Sequence, residues 1–219
     1  MRSNNGNFVV IRDSGVVTVV MNWAGHRGVL GPELAVELAG LLLEIAAETD
    51  AKAVVITGVG DVFAAGRDDL LEVELLIDVV RRHPLPMVAA VQRACIGAGL
   101  ALALACDLRF VAADAILCPT PGAGKRGAAR DLLVEEVGTD AAQRLLGLGA
   151  VEPRALVEWG VNARIVPTSD VLGFAQEAAS AAPERPASPS RGALASRRRG
   201  SLRSVWPVPA TPSMRGGAR

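Results

Sequence analysis

Apolar positions along the first sixty residues switch between two spacings. "FVVIRDSGVVTVVMN" (8–22) is a pair of β-rich runs broken at Asp13-Ser14-Gly15, which predicts a hairpin. "GPELAVELAGLLLEIAAETD" (31–50) has Pro32 near its start, acids in the first turn and leucines at helical spacing, the pattern of an amphipathic helix. "KAVVITG" (52–58) is apolar without alternation, as a strand buried on both faces of a parallel sheet would be, and the glycine-bearing loop "VGDVFAAGRDDL" follows it. The order then recurs. "LLEVELLIDVVRRHPLP" predicts a helix stopped by Pro84 and Pro86, "MVAAVQ" a buried strand, "CIGAGLALALACD" a third helix and "LRFVAADAILCP" further strand. "GKRGAARDLLVEEVGTDAAQRLLGLG" gives two helical stretches around Gly138, and "VEPRALVEWGVNARIVP" a helix, a turn and a strand. Strands alternating with helices make the fold class α/β.

Composition supports this and adds a boundary. At 219 residues the chain suits one domain, which at that size buries roughly 70% of the surface its unfolded form exposes. Half of the residues are apolar and Tyr is absent, so the core is built from Ala, Val and Leu. The zero net charge hides an asymmetry: residues 184–219 hold eight Arg and one Glu, a net of +7, against −7 for the rest. That tail is rich in Pro, Ser, Gly and Arg and lacks periodicity, which predicts disorder over 183–219 after a domain at 1–182. Its readings are a basic arm for nucleic acid or anionic lipid, or a tail with no adapted role; no nucleic-acid partner is expected. The amino terminus has no signal-peptide pattern and no apolar run reaches the ~20 residues of a membrane span, so the expectation is a cytoplasmic protein without a membrane partner. Cys95, Cys106 and Cys118 lack metal-ligand spacing and are expected as buried free thiols, with no metal.

Two loops carry the candidate chemistry. "FAAGRDD" follows one buried strand and "IGAGL" another; if the strands are neighbours, both turns open at one sheet edge, where α/β sheets place ligands. Gly66, Gly97 and Gly99 permit close backbone approach, and the second turn begins a helix, where free amides attract negative charge. Two amides converging on one oxygen, or simply tight packing, would each account for the glycines.

Around these loops the sequence resembles the crotonase superfamily, the enoyl-CoA hydratases and isomerases, over roughly residues 8–182. "MNWAGHRGVLGPEL" is similar to the family's LNRPxxRNALSxEL, "AVVITGVGDVFAAGRDD" to AVVLTGxGxxFSAGxDL, and "PLPMVAAVQRACIGAGLALALACDLRFVAADA" to KPVIAAVxGxAxGGGxxLALACDLRxAxxDA. "PGAG" and "AVEPRALVEWGVNARIVP" resemble its later PGxGG and xxISAxEAxxxGLVxxVVP stretches. The resemblance implies a repeated ββα core, homotrimers or pairs of trimers, and an acyl-CoA thioester as ligand, coenzyme A being part of the substrate and not a separate cofactor. It implies hydratase (lyase) or isomerase chemistry of fatty acid metabolism. It also implies an oxyanion hole made by the backbone amides of Arg67 and Ala98, with Ala64, Ala65, Gly66 and Asp68 lining the CoA passage, Gly97 and Gly99 also binding substrate, and Arg27 near the nucleotide end.

The family's proton-transferring residues do not carry over. The first hydratase Glu falls at Ala101, which can neither take nor give a proton. The second belongs to a "PE" pair, but "ILCPTPGAG" is about seven residues short there, with Thr120 the closest stand-in. Substitute carboxylates could come from Asp68, Asp69, Glu72, Asp131 or Glu135, each otherwise a solvated charge. His26 and His83 read as surface residues and Cys118 as core. Only 14 residues separate Asp69 from Pro84, a shortened acyl-covering segment, and the family's terminal helices are replaced by the Arg-rich tail, as an out-of-frame reading of the gene would give. The expected fold is therefore a crotonase-like repeated ββα core with a truncated or replaced C-terminal helical region. Three functions stay open: an enzyme using a relocated carboxylate, a non-catalytic acyl-CoA-binding protein or decayed frameshifted member, and an acyl-CoA decarboxylase working through enolate stabilisation.

Overall fold

The computed structural model describes residues 1–4, 6–23, 28–119 and 127–182; the tail, and with it the expected domain boundary, lies outside the described residues. Strands β1 (Arg2–Asn4), β2 (Phe8–Asp13) and β3 (Val16–Met21) open the chain. Ser14 and Gly15 both take positive φ in the β2–β3 turn, as a tight hairpin requires. Helix α1 (Pro32–Ala46) follows, with Pro32 at its first turn. Three similar units come next: β4 (Ala53–Gly58), β5 (Val62–Ala64) and α2 (Leu71–Arg82); β6 (Met87–Val91), β7 (Ala94–Ile96) and α3 (Ala98–Ala105); then β8 (Leu108–Ala112), β9 (Ile116–Cys118) and α4 (Ala128–Val137). Helices α5 (Thr139–Gly147) and α6 (Pro153–Glu158), strand β10 (Arg164–Val166) and α7 (Val171–Ser180) complete the described chain.

In each unit the first strand joins a large sheet and the second a small one. The large sheet runs β1-β2-β3-β4-β6-β8-β10, antiparallel through β3 and parallel from there on. The small sheet is parallel, β5-β7-β9. This is the repeated ββα core. Strands β4, β6 and β8 are buried at every position, which explains their unbroken apolar runs.

Two helices pack in ways their sequences explain. α7 runs across β3, β4, β6 and β8, and its buried Ala175, Ala178 and Ala179 let it lie close to the sheet. α3, "AGLALALA", is buried at all eight positions and carries no polar stripe, so it is a core helix and not a surface one. His83 is not the surface residue expected. It is half-buried after α2, its Nε2 meeting the Leu42 carbonyl at 2.9 Å and its Nδ1 accepting the Leu85 amide at 3.2 Å, which ties α1 to the start of β6.

Arg109, in the middle of β8, holds the C-terminal end of α3. Its guanidinium donates to the carbonyls of Ala103, Leu104, Cys106 and Asn162 and forms a 3.0 Å ion pair with Glu136 on α4, at side-chain exposures of 3% and 6%. Removing one member of such a pair strands the other charge in the core. Arg109→Met is therefore expected to lower stability in urea unfolding by about 3–5 kcal/mol. Adding Glu136→Gln should recover part of that loss, and a double mutant no better than Arg109→Met alone would show that the pair is not what Arg109 contributes.

Candidate functional site

Parallel strands β5, β7 and β9 deliver three turns to one edge of the small sheet: Ala65-Gly66-Arg67 after β5, Gly97-Ala98 after β7 and Pro119 after β9. The candidate turns thus leave the small sheet and not the large one. Backbone hydrogen bonds continue between the turns beyond the strand ends. The Gly97 amide donates to the Cys118 carbonyl at 2.8 Å, and the Ala98 amide donates to the Gly66 carbonyl at 2.9 Å. On its other side the first turn is clamped to residues 28–30, with the Leu30 amide on the Ala65 carbonyl (2.6 Å) and the Ala65 amide on the Gly28 carbonyl (2.9 Å).

Steric limits fix two glycines here. Gly66 has φ +153°, and a Cβ on it would stand 2.6 Å from the Leu30 carbonyl oxygen. A Cβ on Gly99 would collide with the Ala64 carbonyl, so only glycine lets α3 approach the end of β5 this closely. The two turns do come together, as the glycine spacing suggested. The two amides expected to converge do not. The Ala98 N–H meets the Gly66 carbonyl, and because the 66–67 peptide is trans, the Arg67 N–H on its other edge faces away from Ala98.

Several expected site residues hold structural places. Ala64 is fully buried and Asp68 is 2% exposed, so neither offers surface to a ligand passage. Asp68 instead anchors α4: its carboxylate accepts the Ala129 amide at 3.1 Å and its own carbonyl accepts the Ala128 amide at 3.1 Å. A first-turn amide and the helix dipole both favour a carboxylate there. The sequence of α4 gives no sign of this cap, because it arrives from sixty residues away. Arg67 reaches out to Asp69 through two bonds of 3.0 and 2.9 Å, and this guanidinium holds the Asp69 carboxyl below the usual carboxylate range. Glu135 pairs with Arg81 on α2, Glu72 is half-buried and Asp131 is exposed. Arg27, His26 and Thr120 lie outside the described residues, as does "PGAG".

Ala101 sits in the buried first turn of α3, three residues after Ala98, and no residue of α3 can ionise. Burial pushes the Cys118 thiol pKa up, away from nucleophilic use, and its Sγ donates to the Pro119 carbonyl at 3.1 Å. The described part of the site therefore presents a low-polarity wall and a backbone amide, that of Ala98, bonded to the Gly66 carbonyl, with no acid or base on the helix that forms it.

Residues 12–193 match the family described as enoyl-CoA hydratase/isomerase. The chain is 33% identical over 201 residues to a putative enoyl-CoA hydratase of Thermus thermophilus, covering 80% of this chain and 79% of that one. It is 33% identical over 184 residues to a probable enoyl-CoA hydratase, echA6, of Mycobacterium bovis, covering 77% and 74%. Among solved structures, a monofunctional enoyl CoA isomerase from M. smegmatis superposes with a TM-score of 0.71 at 26% identity, covering 90% of this chain and 89% of that one.

The Asp68 cap carries a prediction of its own. Asp68→Ala removes the acceptor of the Ala129 amide and should lower stability by about 1–2 kcal/mol in chemical unfolding, with Asp68→Asn retaining part of it. Equal stability of Asp68→Ala and the wild type would show that α4 does not depend on this carboxylate.

Proposed function

The chain belongs to the enoyl-CoA hydratase/isomerase family, and from that premise we propose that it binds an acyl-CoA thioester by its carbonyl oxygen but has lost glutamate-driven hydration. Members of this family bind acyl-CoA thioesters. One observation carries the rest of the reading: in the first turn of α3, a backbone amide at Ala98 is followed one turn later by buried Ala101, in a helix with no ionisable side chain.

A backbone donor survives side-chain change, whereas a general acid or base does not. Amides aimed at a thioester oxygen polarise the carbonyl and would stabilise an enolate, and one such donor typically contributes roughly 3 kcal/mol. Hydration needs in addition a carboxylate to activate water and an acid to protonate the α-carbon, each typically worth 10²- to 10⁴-fold. Among the five carboxylates considered, Asp68 is capping α4 and Asp69 and Glu135 are paired with arginines. Coenzyme A arrives with the ligand in this reading, and no resident cofactor takes part.

Purified protein mixed with crotonyl-CoA should show no loss of conjugated-thioester absorbance above buffer. Calorimetry with butyryl-CoA should give a dissociation constant on the order of 1 μM, about −8 kcal/mol. Arg67→Pro deletes the Arg67 amide and should weaken that binding about tenfold or more. Turnover that Arg67→Pro abolishes would restore an enzyme with a relocated carboxylate, and absence of butyryl-CoA binding would remove the reading altogether.

A further inference from the structure

The site's main donor is already occupied. The Ala98 N–H belongs to the first turn of α3, where no intrahelical acceptor exists, and Ala98 is fully buried, so without a partner this donor would be left unsatisfied in the core. The Gly66 carbonyl supplies that partner at 2.9 Å. It does so as the next rung of the β5–β7 ladder, after the pairs Val62 with Ala94 and Ala64 with Cys95.

Resting on the thioester-binding reading above, we infer that the Gly66–Arg67 peptide is a switch: its carbonyl plugs the oxyanion site in the unliganded chain. A thioester carbonyl enters only when that peptide plane turns over. The turn withdraws the Gly66 carbonyl from Ala98 and brings the Arg67 N–H to the same side, so one rotation both vacates the Ala98 donor and adds the second one. The trans peptide makes the two events inseparable, since its C=O and N–H point in opposite directions.

The residues around this peptide suit such a rotation unequally. Residues 28–30 clamp the chain up to Ala65, so the motion begins at Gly66. Overturning a peptide plane changes ψ of the first residue and φ of the second by about half a turn each, the difference between type I and type II turns. Gly66 already sits in a conformation that favours glycine and accepts the change. Arg67 does not. Among described non-glycine residues only Ser14 has positive φ, so Arg67 starts at negative φ and the turn drives it into the left-handed half of the map. The side chain at 67 thus holds the plug in place through its Cβ, whatever its charge.

This separates Arg67→Gly from Arg67→Ala. Both remove the ion pair with Asp69, but only glycine relieves positive φ. The test is calorimetry of each variant and the wild type with two probes: butyryl-CoA, and the thioether S-butyl-CoA, which lacks the carbonyl. The readout is the ratio of the thioether to the thioester dissociation constant within each protein, which cancels general loosening of the loop. We expect that ratio to be about tenfold larger in Arg67→Gly than in Arg67→Ala. Equal ratios above one in the two variants would mean a preformed hole, which overturns the switch and leaves the thioester reading standing. A ratio of one in all three proteins, or no binding of either probe, would overturn both.

Discussion

The buried guanidinium of Arg109 is what the rest of the site rests on. α3 has no polar face and no charged side chain with which to fix its own rotation or position, because every residue from Ala98 to Ala105 is small or apolar and buried. Such a helix is held by its ends. At the C-terminal end, Arg109 donates to the carbonyls of Ala103, Leu104 and Cys106, in the last turn of α3 and just beyond it, and joins them to Glu136 and to the Asn162 carbonyl. At the N-terminal end, the amides of Gly97 and Ala98 are tied to the end of β9 and to the turn after β5. The position of the Ala98 donor is therefore set by a cation about two helical turns away as much as by the loop that contains it.

What the sequence revealed follows from how far each interaction extends along the chain. Strands β2, β3, β4, β6 and β8 and helices α1 and α2 are long enough for their apolar spacing to show, and the hairpin is marked by Ser14-Gly15. Strands β5, β7 and β9 have three residues each, too few to display a period, so the sequence shows that the two turns can meet but not that a second, small sheet carries them. α7, "VLGFAQEAAS", has a weak pattern because its buried face is alanine, whose value lies in close approach and not in hydrophobic contrast. Asp68 looked like a ligand-facing acid because its role is defined by Ala128 and Ala129, which no local pattern connects to it. The Gly66–Ala98 hydrogen bond was hidden for a different reason: motif spacing locates amides, but peptide orientation belongs to the three-dimensional ladder.

The same reasoning decides what the preserved glycines mean. Packing and oxyanion binding were posed as competing accounts of Gly66, Gly97 and Gly99, yet the geometry gives them one cause. Gly99 must lack a side chain because the Ala64 carbonyl lies against it, and Gly66 because the Leu30 carbonyl does, with or without a ligand. A chain that abandoned catalysis would still need both glycines to close its core, so their presence carries no information about turnover. Ala101 does. At a buried position in the first turn of α3, a glutamate would require a proton partner or an ion pair to offset its desolvation, whereas alanine needs neither and raises helix propensity. Where no proton transfer is required at that position, stability alone favours alanine, and the two glycines are needed in either case because the core cannot close without them.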